Sequence, residues 1–215
     1  MSKSQFEQDG FLVIDRVIDD KAMHVLTKHC ETEVNAKVGT RNLLALPWVK
    51  QLAQKLAQND SIKRLLPKNA VVVQCNYFSK DLTNNLSVTP HRDLSIPVKS
   101  RIESVQWSGW SHKEGVLYAQ PPKNVLSNVL AIRVHLEKND NMNGALEIVP
   151  GSHKDFTATG KQALCAVAKG GALLMRPLAL HSSSKLRSGK RRVLHFVYGP
   201  NDLPDGASWA NAVPV

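Results

Sequence analysis

The sequence predicts a mainly β protein, a sandwich or barrel with flanking helices. Three observations carry this. The first third reads as helices. From Ala70 onward the chain reads as seven or eight short strands. No helical stretch separates those strands, as a parallel βαβ sheet would require.

The elements follow in order. Gln5 to Asp9 is a short polar helix stopped by Gly10, and Phe11 to Ile14 is a first strand. Asp19 or Asp20 caps a helix from Lys21 to about Val34, along which Met23, Leu26, Cys30 and Val34 recur at helical spacing. A second helical region spans Trp48 to Leu66, with Val49, Leu52, Leu56, Ile62 and Leu65 on its buried face. Asn59-Asp60 breaks it and Pro67 ends it. Val71 to Phe78 is β-rich, and Val88 to Val98 reads as one strand. From Val129 to Leu136 the residues alternate, Leu130, Ile132, Val134 and Leu136 on one face and Arg133, His135 and Glu137 on the other. Ala145–Val149, Leu164–Ala168, Ala172–Leu180 and Val193–Tyr198 follow, divided by turns such as Asn143-Gly144 and Gly170-Gly171. Between Ser100 and Asn128 the pattern fails. Trp107, Trp110 and Tyr118 argue against disorder there, so a lid or wall over a pocket is expected.

Composition bounds the function. The 215 residues, 42% of them apolar, fit one domain with a real core. The net charge of +10 attracts anions, but the cations are dispersed. Their densest group is Lys185, Arg187, Lys190, Arg191 and Arg192, without a helix-turn-helix, zinc-finger or aromatic RNA-binding pattern. Nucleic acid is therefore not the expected partner. Three widely spaced cysteines form no disulfide framework or zinc knuckle. The polar N-terminus lacks a signal pattern, and no apolar run approaches the ~20 residues of a membrane span, so a cytoplasmic setting is expected.

His91-Arg92-Asp93 and His181 carry the chemistry. On a strand, H-x-D places both side chains on one face. His181, 88 residues beyond Asp93, can complete a 2-His-1-carboxylate facial triad, which binds Fe(II) and leaves positions open. An H-x-D alone reads better as the wet face of an ordinary half-buried strand. His181 shifts that balance, because it follows a Gly-Gly turn and an apolar strand that can end at a barrel mouth. Oxygenases with this triad commonly take 2-oxoglutarate, whose distal carboxylate suits a bidentate guanidinium. Arg191-Arg192 opens the next strand. Its two side chains point to opposite faces, so one of them lines the site. Ser183 shares the face of His181 and can donate to the same carboxylate. No G-x-S-x-G elbow, G-x-G-x-x-G turn or phosphate loop is present.

These residues resemble the phytanoyl-CoA dioxygenase family of Fe(II)/2-oxoglutarate oxygenases. The likeness runs from Phe6–Ile14 through Val38–Leu44, Phe78–Lys80, Thr89–Ile96, Ile132–Leu136, Asn143–Leu146 and Val149–His153 to Leu180–Ser184 and Arg191–His195. It implies a double-stranded β-helix, that is, a jelly roll of the cupin-like kind. One domain would cover 1–215, with a mainly helical part (1–69) packed on a jelly-roll core (70–200). It implies that His91, Asp93 and His181 bind iron and act catalytically. Arg192 would hold the distal carboxylate of 2-oxoglutarate with Ser183 assisting, Gln74 or Asn76 would reach the cosubstrate, and Trp107 would form an aromatic pocket wall. The substrate would be a small organic molecule, with an anionic one favoured by the net charge. No acyl-CoA-binding feature is recognised, so the thioester of the family's name is not carried over. Two other classes compete: an inactive binding module on the same fold, and a basic nucleic-acid-binding protein.

Overall fold

Strand alternation sorts the side chains into two layers, one packed under helices and one facing a cavity. The structure is a computed structural model that describes residues 3–34 and 39–215. The helical opening contains α1 (Lys3–Asp9), β1 (Phe11–Ile14), α2 (Asp20–Thr32), β2 (Gly39–Thr40), a 3-10 turn (Leu43–Ala45), α3 (Pro47–Gln58) and α4 (Asp60–Lys63). The strands that follow are β3 (Ala70–Lys80), β4 (Val88–His91), β5 (Ile96–Val98), β6 (Ser108–Lys113) and β7 (Val116–Gln120). After α5 (Lys123–Ser127) come β8 (Leu130–His135), β9 (Leu146–Ile148), β10 (Ala163–Leu164), β11 (Ala172–Met175), β12 (His181–Ser183), β13 (Arg191–Pro200) and β14 (Val213–Pro214).

The larger sheet runs β1-β11-β8-β13-β3-β14, with β2 beside β3, and the smaller runs β10-β9-β12-β4. Their pairings are antiparallel, as a jelly roll requires. Ala131, Leu173 and Met175 of the larger sheet pack with Leu146 and Ile148 of the smaller. The larger sheet's other face carries Leu130, Ile132, Val134, Leu194, Phe196 and Tyr198 against Met23, Leu26, Leu56 and Ile62 of the helices. Burying each of those side chains contributes roughly 1.5–3 kcal/mol, so this layer holds the helices down. Asp19 caps α2, accepting from the Ala22 amide at 2.8 Å, and Asn59 ends α3 while capping α4.

Several expectations are corrected. Val88–Val98 is not one strand: β4 stops at His91, and β5 joins β7 and β6 in a third sheet. The presumed irregular stretch from Ser100 to Asn128 holds the β6–β7 hairpin and α5. Its turn, Glu114-Gly115, has φ of 50° and 79°, the left-handed pair that a two-residue hairpin needs. The strand read at Ala172–Leu180 stops at Met175, before Pro177, which has no N–H to donate. That read at Leu164–Ala168 contracts to Ala163–Leu164.

Candidate active site

Pairing of β12 with β4 sets His181 directly opposite His91, with ring centroids 4.2 Å apart. Asp93 lies beyond the end of β4, and its amide donates to the Pro177 carbonyl at 2.9 Å. That bond ties the Asp93 loop to the segment leading into His181. Asp93 Oδ1 lies 3.7 Å from His91 Nε2, and its Oδ2 lies 3.8 Å from His181 Nε2. Each imidazole uses Nδ1 to donate to the carbonyl two residues earlier, His91 to Thr89 and His181 to Ala179, both at 2.9 Å. A proton on Nδ1 leaves the lone pair on Nε2, and both Nε2 atoms face the Asp93 carboxylate. One ligand atom from each residue lies within 4.8 Å of the others. Small side-chain rotations bring such atoms to the roughly 3 Å separation of adjacent ligands with bonds of ~2.1 Å. The residues fit a divalent ion.

Electrostatics agree. Burial pushes the Asp93 carboxyl up, but His181, His195, His91 and Arg133 together hold it below its ordinary value. Burial holds His181 down despite Asp93. One imidazole and a carboxylate are thus kept in the unprotonated forms that ligate metal.

The triad opens on a cavity of about 550 Å³. Cross-strand register places its polar lining in rows. Asn76 pairs with His195 and His195 with Arg133, and two rows away, beyond Phe78 and Val193, Lys80 pairs with Arg191. Arg133 Nη1 lies 3.2 Å from His195 Nδ1; a guanidinium only donates, so His195 is the acceptor and is neutral. Burial and then Arg133 push His195 down to about 3. Burial lowers Arg133 to about 10 and Arg191 to about 9. Lys80 falls to about 8, through burial first and then Arg191 and Arg133. Asp93 is the sole carboxylate among the described lining residues.

The expectation that Arg192 faces the cosubstrate is corrected. Arg191 lines the cavity and donates to the Gly144 carbonyl. Arg192 turns to the helical side, pairing with Glu137 at 2.6 Å and Glu31 at 2.8 Å. The parity is set by the β3 pairing, Arg191 opposite Lys80 and Arg192 opposite Ser79. Ser183, Gln74 and Asn76 do line the cavity. Trp107 does not. It packs with Val71, Val73 and Trp209 and donates to Asp205 at 2.9 Å, while Tyr118 and Lys113 of the hairpin supply the wall expected of it. Lys80 and Arg133 were missed as site residues. Strand alternation from Gln74 through Asn76 and Phe78 would have found Lys80. The basic group at 185–192 is no single patch, because Lys185, Arg187 and Lys190 are exposed whereas Arg191 and Arg192 are buried.

A jelly roll with a facial two-histidine, one-carboxylate cluster and a buried arginine beyond it has the architecture of a non-haem iron oxygenase. The profile of the family Phytanoyl-CoA dioxygenase (PhyH) matches residues 6–194, and the chain belongs to that family. Through that membership it is an enzyme, an Fe(II)- and 2-oxoglutarate-dependent oxygenase. Phytanoyl-CoA dioxygenase domain-containing protein 1 of Danio rerio is 26% identical over 223 residues, covering 91% of this chain and 67% of that protein. HygX from Streptomyces hygroscopicus, with nickel and 2-oxoglutarate bound, superposes with a TM-score of 0.66 at 17% identity, over 95% of this chain and 89% of its own. EctD from S. alaskensis, in its apoform, gives 0.65 at 15% identity, over 93% and 77%. SnoK, a non-heme alpha ketoglutarate dependent carbocyclase from nogalamycin biosynthesis, gives 0.62 at 15%, over 97% and 86%. At these identities the three structures establish the fold. Among the described residues no helix is long and apolar enough to cross a membrane.

Proposed function

We propose that the enzyme hydroxylates a small organic anion, with Fe(II) held by His91, Asp93 and His181. The observation that carries this is the convergence of both Nε2 atoms on one carboxylate, each ring locked through Nδ1. When bound by these residues, Fe(II) with 2-oxoglutarate would supply the oxidising chemistry, in which dioxygen gives one atom to succinate, with loss of carbon dioxide, and the other to the substrate.

The chain's own residues do the rest. The Thr89 and Ala179 carbonyls orient the ligating rings. Arg191, not Arg192, meets the distal carboxylate, assisted by the Ser183 hydroxyl. Gln74 and Asn76 offer amides from β3, and Asn76 Oδ1 has no hydrogen-bond partner among the described residues. Leu94, Ile96, Leu126 and Val129 line an apolar side of the cavity that excludes water from the reaction. Arg133, beside the triad and paired with no carboxylate among the described residues, receives the substrate's anionic group. Buried, unpaired Cys30, Cys75 and Cys165 accord with a reducing, cytoplasmic setting.

Anaerobic addition of Fe(II) and 2-oxoglutarate should produce a weak visible charge-transfer band, and aerobic incubation should release succinate without added substrate. His91→Ala should abolish both. A wild type without the band contradicts the reading, and an unchanged band in the variant removes the assigned ligands.

A further inference from the structure

We propose that Lys80 is a second cation for the distal carboxylate of 2-oxoglutarate and makes the cavity selective for a dicarboxylic 2-oxo acid. The inference rests on the cosubstrate reading above. Lys80 ends β3 directly opposite Arg191 on β13, and both side chains line the same cavity. Directly opposed residues on antiparallel strands hold their Cβ atoms roughly 4.5–5.5 Å apart, and like charges there repel. Lys80 is 7% exposed and Arg191 is 5% exposed, and neither is ion-paired among the described residues. Burying two facing cations without an anion costs stability, and the fold does not need them: a methionine would fill the Lys80 position without the charge. A guest anion between them resolves the conflict.

The hydrogen bonds point the same way. Lys80 Nζ donates to Ser183 Oγ at 2.9 Å and to the Ser184 carbonyl at 3.2 Å. An ammonium has three hydrogens, so one is left for a ligand. Because Ser183 Oγ accepts from Lys80, its own hydrogen is free to point elsewhere. Lys80, Ser183 and Arg191 thus present an ammonium, a hydroxyl and a guanidinium to one region of the cavity. Arg191 is itself steadied by the Gly144 carbonyl. This donor set suits a carboxylate and rejects a methyl group.

The test compares two acids with the same 2-oxo acid head. 2-Oxoglutarate carries the distal carboxylate and 2-oxobutanoate does not. Each is titrated calorimetrically into Mn(II)-loaded wild type, Lys80→Met, Lys80→Arg and Arg191→Met, with thermal melts as folding controls. A charge-assisted hydrogen bond contributes ~1.5–3 kcal/mol, so Lys80→Met should weaken 2-oxoglutarate about 10- to 100-fold. Its 2-oxobutanoate affinity should be unchanged, and Lys80→Arg should restore part of the selectivity. Wild-type affinity for 2-oxoglutarate in Lys80→Met, with Arg191→Met impaired, overturns the role of Lys80 alone. Equal weakening of both acids shows a packing role and overturns it too. A wild type that does not distinguish the two acids overturns this proposal and the Arg191 assignment together.

Discussion

Adjacent arginines have opposite fates here, and one substitution at each separates them. Arg191 sits in the cavity against Gly144, whereas Arg192 is held by Glu137 and Glu31 under the helices. Arg191→Met should raise the KM for 2-oxoglutarate by about 10- to 100-fold and leave the melting temperature little changed. Arg192→Met should do the reverse. It removes the guanidinium from partly buried Glu137, which keeps only the amide of residue 192, at a cost of about 1–3 kcal/mol, with 2-oxoglutarate binding kept. Steady-state kinetics and denaturant melts on both variants check this. The His-x-Asp and the distant histidine were legible as residues because metal chemistry restricts the side chains that serve it. The arginine that lines the cavity was not. Alternation says that Arg191 and Arg192 diverge, but the inward face depends on pairing with β3, and Glu31 and Glu137 are remote in sequence from the site they help define.

At the scale of elements, β12 is the keystone, because it lies between β9 and β4 and carries both His181 and Ser183. The turn before β9 matters equally. Gly144 has φ of 69°, and a Cβ there would lie 2.6 Å from the Ser184 carbonyl. Gly144→Ala should therefore destabilise the fold by roughly 1–3 kcal/mol, from left-handed strain alone. It should also weaken 2-oxoglutarate binding by displacing the seat of Arg191. Full 2-oxoglutarate affinity in a folded Gly144→Ala protein would contradict that link. Elements with strong local signals were readable: the capped α2, the Asn59 break and the alternation of β8. The β6–β7 hairpin was not. The sequence of β6, Ser-Gly-Trp-Ser-His-Lys, is polar and interrupted by glycine, and β6 becomes a strand through pairing with β7. The split of Val88–Val98 is likewise tertiary: residues 92–95 leave the ladder where Asp93 is tied to Pro177.

For the whole molecule, the buried histidines set the response to acid. Burial, reinforced by Arg133, holds His195 down to about 3 and His135 well below its ordinary value, and Arg191 adds to the effect on His135. Both are neutral when folded and charge near pH 6.5 when unfolded. Between about pH 6.5 and 3 the unfolded chain therefore binds more protons, so stability rises with pH across that window and is lost as pH falls. In the metal-free protein His181 acts in the same direction. Each histidine contributes a slope of up to ~1.4 kcal/mol per pH unit. Melting temperatures from pH 7.5 to 4.5 should fall steeply, and His135→Leu should flatten the curve. An unaltered slope in that variant would show that His135 charges as readily folded as unfolded.

Soaking crystals anaerobically with Mn(II) and 2-oxoglutarate tests the central assignment most directly. The density should show one ion bound by His91 Nε2, His181 Nε2 and the Asp93 carboxylate, with the distal carboxylate of 2-oxoglutarate against Arg191. An ion held by other residues, or a distal carboxylate seated on Arg192, would contradict it.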